Sequence, residues 1–125
     1  MTDDTSVFAQ LRSIDPDAHA ALEAVAAECI GQRQREGWTP DHDDTHVSTL
    51  HGAAMANAAA SYAMRAGRGV HDHRFGPGYP PAIWPWDAKW WKPKDEWRDL
   101  TRAAALCIAE MGRRLRVKEN RNALR

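Results

Sequence analysis

The chain has only two cysteines, Cys29 and Cys107, among its 125 residues. That count excludes a disulfide framework, and no CxxC or Cys/His spacing suits a zinc site. Each cysteine falls on the apolar stripe of an expected helix, where it reads as a small core residue. No run of about 18 apolar residues occurs, which excludes a membrane-spanning helix. The opening MTDDTSVFAQLRSID has neither the basic start nor the apolar run of a signal peptide, so the expected compartment is the cytoplasm. Net charge is also missing, with 17 basic residues balancing 17 acidic ones. A neutral chain is a poor candidate for dedicated nucleic-acid binding, because phosphate contacts carry most such affinity. Phenylalanine and tyrosine number two each, so the aromatic bulk must come from the six tryptophans. Familiar catalytic signatures are lacking too: no Walker loop, GxGxxG, GxSxG or HExxH is present.

The charge is unevenly spread. Residues 1–44 carry ten acids against three arginines, and residues 98–125 carry eight basic groups against three acids. Opposite ends of one domain would attract each other weakly across its surface. The length suits a single domain over 1–125, with its core in about 15–116 and looser ends. A chain of this size buries roughly two-thirds of its unfolded surface, enough for a core without staples.

The fold expected is mainly α, with three principal helices and a long irregular segment between the second and third. Asp15-Pro16 makes a helix start, Asp15 as N-cap and Pro16 in the first turn. Leu22, Val25, Ala26, Cys29 and Ile30 then recur at helical spacing, which predicts helix one over 16–35. Thr5 to Arg12 suits a short helical turn ahead of it. Asp43 or Asp44 can cap helix two, which runs to about Ala66 and stops at Gly67 and Gly69. Ala53, Ala54, Ala56, Ala58, Ala59, Ala60 and Ala63 let a neighbour approach closely but supply little bulk. Residues 67–93, with GPGYPP and Trp84-Pro85-Trp86, cannot be regular helix or central strand. Pro93 can open helix three, with Asp95, Glu96 and Asp99 favourable near its positive end. Trp97, Leu100, Ala104, Cys107, Ile108, Met111 and Leu115 give it the best amphipathic stripe in the chain and are expected on its buried face.

Four groups of residues could carry chemistry. The run Gly37 to His46 packs Asp41, His42, Asp43, Asp44 and His46 between two helices. Such carboxylates and imidazoles can hold a divalent metal or a ligand, although aspartates ahead of a helix are ordinary caps. Tightly held zinc and other cofactors are not expected; a metal, if held, would sit on Asp43, Asp44 and His46. The second group is Trp84, Trp86, Trp90 and Trp91, interleaved with Lys89, Lys92 and Lys94. Core packing is their simplest role; an aromatic box that stacks a planar group, with lysine for phosphate, is the functional one. Arg98-Asp99, followed by Arg102, can clamp a phosphate or carboxylate, or make an ion pair with the acidic loop. His71-Asp72-His73 lies in a glycine-rich stretch and reads as solvent-exposed. Helical nucleotide pyrophosphohydrolases need paired acidic motifs on facing helices. Here helix two has no acid after Asp44, and helix three only Glu110 beyond its opening turns.

Arg33-Gln34-Arg35-Glu36-Gly37-Trp38-Thr39-Pro40-Asp41-His42-Asp43-Asp44, Trp84-Pro85-Trp86, Trp90-Trp91-Lys92-Pro93 and Arg98-Asp99-Leu100 carry a resemblance. The chain resembles a family of small bacteriophage and prophage proteins with the pattern RQ..EGWTPEHDD..H, WPW..WWKP and RDL, over roughly residues 25–115. The resemblance implies a bacterial host cytoplasm and says little about activity. The family often opens the alanine helix with a GEL-like run; this chain has Ser48-Thr49-Leu50-His51-Gly52 there. A fainter similarity is to the ryanodine-receptor repeat domain, echoed by Gly37-Trp38, Asp43-Asp44 with His46, Pro85-Trp86 and Lys94 to Asp99. That likeness implies a nucleotide-derived ligand.

The leading expectation is thus a non-catalytic phage-type domain that binds a nucleotide-like small molecule and sequesters a host defence signal. Trp38, Trp86 or Trp91 would stack the base, Lys92 and Arg98 would meet phosphate, and Asp43 or Asp44 would contact the ribose, with His46, Trp90 and Asp99 also counted among the ligand-binding residues. The rivals are a metal-dependent nucleotide hydrolase and a protein-binding inhibitor of a host complex, its tryptophans serving as anchors. A homo-oligomer is compatible with each. If helices two and three pack parallel, both N-termini reach one end, and Trp38, Asp43 or Asp44 meets Trp90, Trp91 or Arg98 there.

Overall fold

The computed structural model describes residues 6–35, 54–68 and 74–123. The domain is mainly α, and no strand occurs among the described residues. Helix α1 is Val7–Ile14, α2 is Pro16–Arg35, α3 is Ala54–Gly67 and α4 is Glu96–Ala123. A short 3₁₀ turn, Ala88–Trp90, lies between α3 and α4. To the three longer helices read from the sequence, the described residues thus add α1, where only a helical turn was expected.

Local chemistry sets the helix ends. The Ser6 side chain accepts the Ala9 N–H at 3.0 Å and opens α1. Asp15 closes that helix and starts the next: its N–H donates to the Leu11 carbonyl at 2.7 Å, and its Oδ1 accepts the Ala18 N–H at 3.0 Å. Pro16 in the first turn costs no hydrogen bond, since that N–H would be unpaired in any case. Helix α4 begins at Glu96 rather than Pro93, because Asp95 is the cap, its Oδ1 accepting the Arg98 N–H at 2.8 Å. Asp99 reaches back to accept the Lys94 N–H at 2.8 Å, a capping box displaced by one residue. The expected start of the alanine helix at Asp43 or Asp44 lies outside the described residues.

Helices α3 and α4 form the main packing pair. Arg102 near the start of α4 bonds the Tyr62 hydroxyl in α3, and Arg65 one turn further along α3 acts on Asp99, one turn earlier in α4. Chain direction therefore opposes across the pair. The two helices run antiparallel, not parallel as a shared N-terminal end would require. Their common core holds Met55, Ala58, Ala59 and Tyr62 from α3, and Ala103 and Leu106 from α4. Alanine leaves space, and Trp84 and Trp91 from the connecting segment fill it. Trp91 is wholly covered, its ring 4.7 Å from that of Tyr62 and 4.9 Å from that of Trp84.

The large apolar stripe of α4 is not on the buried face. Trp97 is 57% exposed, Leu100 50%, Met111 63% and Leu115 60%. Ile108 and Cys107 are exposed as well. The inward face instead carries Asp99, Ala103, Leu106 and Glu110. The physical reason is volume: two indoles already occupy the space between α3 and α4, so the facing positions must be mostly small. Each buried carboxylate also has a local donor. Asp99 holds the Lys94 N–H, and Glu110 is gripped by Arg113 Nε and Nη2 and by Arg114 Nε, all at 2.8 Å. On α2 the expected stripe is covered only in part: Leu22, Val25 and Cys29 are half-buried, while Ile30 is exposed. Its buried residues are Glu28 and Gly31.

Candidate ligand-binding cleft

The segment between α3 and α4 folds back over the helix pair. Phe75 adopts a left-handed backbone at φ 64°, which side-chain-bearing residues rarely take up, and the Arg68 guanidinium lies 4.7 Å from its ring centre. The Phe75 carbonyl accepts the Trp91 indole N–H at 2.9 Å, and the Gly78 N–H donates to the Trp91 carbonyl at 3.1 Å. Gly78, at φ 81°, supplies the second left-handed position. Asp87 caps the 3₁₀ turn by accepting the Lys89 N–H at 2.8 Å, and its carbonyl accepts the Trp84 indole N–H at 3.1 Å. That turn separates two adjacent tryptophans. Trp91 points into the core, and Trp90 stands 59% exposed with Lys89 Nζ 5.3 Å from its ring centre.

Between this segment, α2 and the helix pair lies a cleft of about 720 Å³. That is in the range of small-molecule sites. Tyr62, Trp84 and Leu106 line its apolar part, with Trp86 and Trp90 beside them. Trp86 meets Trp84 edge-on, ring centres 5.2 Å apart. Three cations reach the cleft: Lys92, Lys94 and Arg102. Arg102 is fixed in place. Its Nη1 donates to the Lys92 carbonyl at 3.0 Å and to the Tyr62 hydroxyl at 3.2 Å, and its guanidinium lies 5.1 Å from the Tyr62 ring centre. Burial raises the Tyr62 phenol above its ordinary value despite the pull of Arg102, so it stays a neutral hydroxyl.

Two acids, Glu28 and Asp87, share the lining with Gln32. Glu28 is offset by Arg98 at 3.4 Å and receives a hydrogen bond from Gln32 at 3.4 Å. The remaining balance favours an anion, and the exposed Trp90 indole favours a planar group. Among the described residues no three His, Cys, Asp or Glu side chains converge as metal ligands would.

Of the residues singled out in the sequence, Trp84, Trp86, Trp90, Lys92, Lys94 and Arg102 line the cleft. Arg98 stands behind it through Glu28. Trp91 and Asp99 are fully buried and lie outside the lining. Trp38, Asp43, Asp44 and His46 lie outside the described residues, as do His71 and His73. Tyr62, Glu28 and Gln32 went unread as site residues. Tyr62 carried a signal, being the one aromatic residue in Ala54–Gly67; Glu28 lies off the apolar stripe of α2 and carried none. No protein-family model, curated protein or solved structure matches the chain.

Proposed function

We propose that the protein is a non-catalytic, phage-type binding domain whose cleft takes a nucleotide-derived small molecule, with sequestration of a host defence signal as its role. One observation carries this reading: exposed Trp90 and half-buried Trp86 share a cleft with Lys92, Lys94 and Arg102. Indole faces suit a base, and a cluster of cations suits phosphate. Arg102, held by Tyr62 and the Lys92 carbonyl, offers its charge with little side-chain entropy left to lose. The proposed role is to bind and hold: among the described residues the lining offers no nucleophile with an adjacent base.

Titration with nucleoside mono- and diphosphates and with cyclic dinucleotides, followed by tryptophan fluorescence, tests this reading. Saturable quenching is expected, weakened about 10- to 100-fold by Trp90→Ala through lost stacking. Lys92→Glu should also weaken it without changing the fold. Absence of quenching by every nucleotide would end the proposal. Metal-dependent release of phosphate would instead favour the hydrolase reading, which rests on Asp43, Asp44 and His46. The protein-binding reading draws support from a separate observation, the exposed Trp97 face of α4.

A further inference from the structure

Helix α4 is apolar on two opposite faces. One, with Ala103 and Leu106, packs on α3. The other carries Trp97, Leu100, Ala104, Cys107, Ile108, Met111 and Leu115 at spacings of three and four, a heptad-like seam. Its large members are between 42% and 63% exposed. Eighteen residues separate Trp97 from Leu115, which makes the seam roughly 27 Å long at the helical rise per residue. The patch is of the order of several hundred Å², large for a monomer and near the surface one partner contributes to a small stable dimer.

We infer that this seam is the interface of an antiparallel homodimer, α4 lying against α4 of a second copy. Charge selects both the occupant and the direction. Glu96 flanks the seam at its N-terminal end, while Arg114 and Lys118 flank it at the C-terminal end. In a parallel pair, like charges would oppose each other at both ends. In an antiparallel pair each Glu96 meets Arg114 or Lys118 of the other copy, and the helix dipoles oppose favourably. The register that does this also matches the apolar residues. Trp97 meets Leu115, Leu100 meets Met111, and Ala104 meets Ile108, with Cys107 beside the twofold axis. Ala104 leaves room at the crossing for the backbones to approach. The surface is self-complementary, as a twofold interface requires.

Sedimentation equilibrium of the full chain at micromolar concentration tests the dimer, and charge exchange tests its direction. The expected species has twice the chain mass, and a short bis-maleimide should link Cys107 to Cys107. Met111→Glu should weaken the dimer on the order of a hundredfold, because each copy would bury an unpaired carboxylate. Its far-UV spectrum should match that of the parent, since Met111 is mostly exposed in the monomer, while its melting temperature should fall to that of the dissociated chain. Glu96→Lys should weaken association, and Glu96→Lys with Lys118→Glu should restore it. A monomeric parent chain would overturn the proposal, whether the face is then covered by this chain or by another protein. So would a dimer indifferent to Met111→Glu. Failure of the charge exchange to rescue would overturn the antiparallel arrangement.

Discussion

The two faces of α4 invert the usual expectation of a helix. The inner face is built from alanine, a threonine, one leucine and two carboxylates; the outer face holds a tryptophan, two leucines, an isoleucine and a methionine. Size explains the inner face, since the core volume is supplied from elsewhere by Trp84 and Trp91. Hydrogen bonding explains why two acids survive there, each with a donor of its own. An apolar stripe therefore reports that a helix has a partner, not which partner it is.

Substitutions can sharpen that contrast. Trp91→Ala should have the largest effect, a loss of about 3–5 kcal/mol in denaturant unfolding, because it opens a cavity among Tyr62, Trp84 and the alanines. A loss near that of a surface residue would show that the core centre is placed wrongly. Glu110→Ala should cost about 1.5–3 kcal/mol, since it strips charge-assisted bonds from Arg113 and Arg114. Those two arginines hold the Glu110 carboxyl below its ordinary value of 4.5. Its contribution is thus present above that value and lost as pH falls through the lowered one.

Asp99, one face but three turns away, has the opposite sign. Burial raises its carboxyl above the ordinary 3.8, against the Lys94 hydrogen bond and the nearby Arg102 and Arg65. The folded state therefore binds this proton more tightly than the unfolded chain does. Its favourable contribution is complete below the unfolded value and disappears as pH rises through the raised one. Asp99→Asn keeps an acceptor for the Lys94 N–H and removes the titration. Relative to the parent, this variant should gain stability as pH rises above the ordinary carboxyl value of 3.8, as read by urea unfolding at each pH. A parallel pH profile for the two proteins would rule this out. The smallest effect belongs to the outer face: Trp97→Ala should cost under about 1 kcal/mol of monomer stability, measured under conditions where the chain is dissociated. A cost comparable to Trp91→Ala would mean that Trp97 is core after all.

Parts of this architecture were legible because the signal was local. Asp15-Pro16 marks the α1–α2 junction in sequence and performs it in structure, since a cap needs only neighbours three residues away. The acids at the start of α4 are equally local, although Asp95 rather than Pro93 turned out to open the helix. Facing is different. Periodicity finds the stripe of α4 but is blind to what stands opposite, so the outward seam was assigned to the core. Trp90 and Trp91 make the same point at single-residue scale. Identical side chains on adjacent residues go to solvent and to the centre of the protein, and a three-residue turn decides which. Half of the candidate site was visible as aromatic and basic residues in one stretch. Tyr62, Glu28 and Gln32 were not, because they reach the cleft only through the packing of distant helices.

The tethering of Trp91 has a consequence for recognition. Its indole N–H and its carbonyl are bonded to residues 16 and 13 positions earlier, Phe75 and Gly78, and its ring is locked between Tyr62 and Trp84. The start and the end of the stretch that lacks regular structure are thereby riveted together at the centre of the core. Trp90 and Lys92, its immediate neighbours, have their backbone positioned from that point although both side chains face water. A guest entering the cleft would meet a wall already set, and most of the conformational freedom that binding usually removes has been surrendered during folding. Selectivity would then follow the fixed spacing between indole and cations, and the cleft would discriminate by shape rather than adapt to whatever arrives.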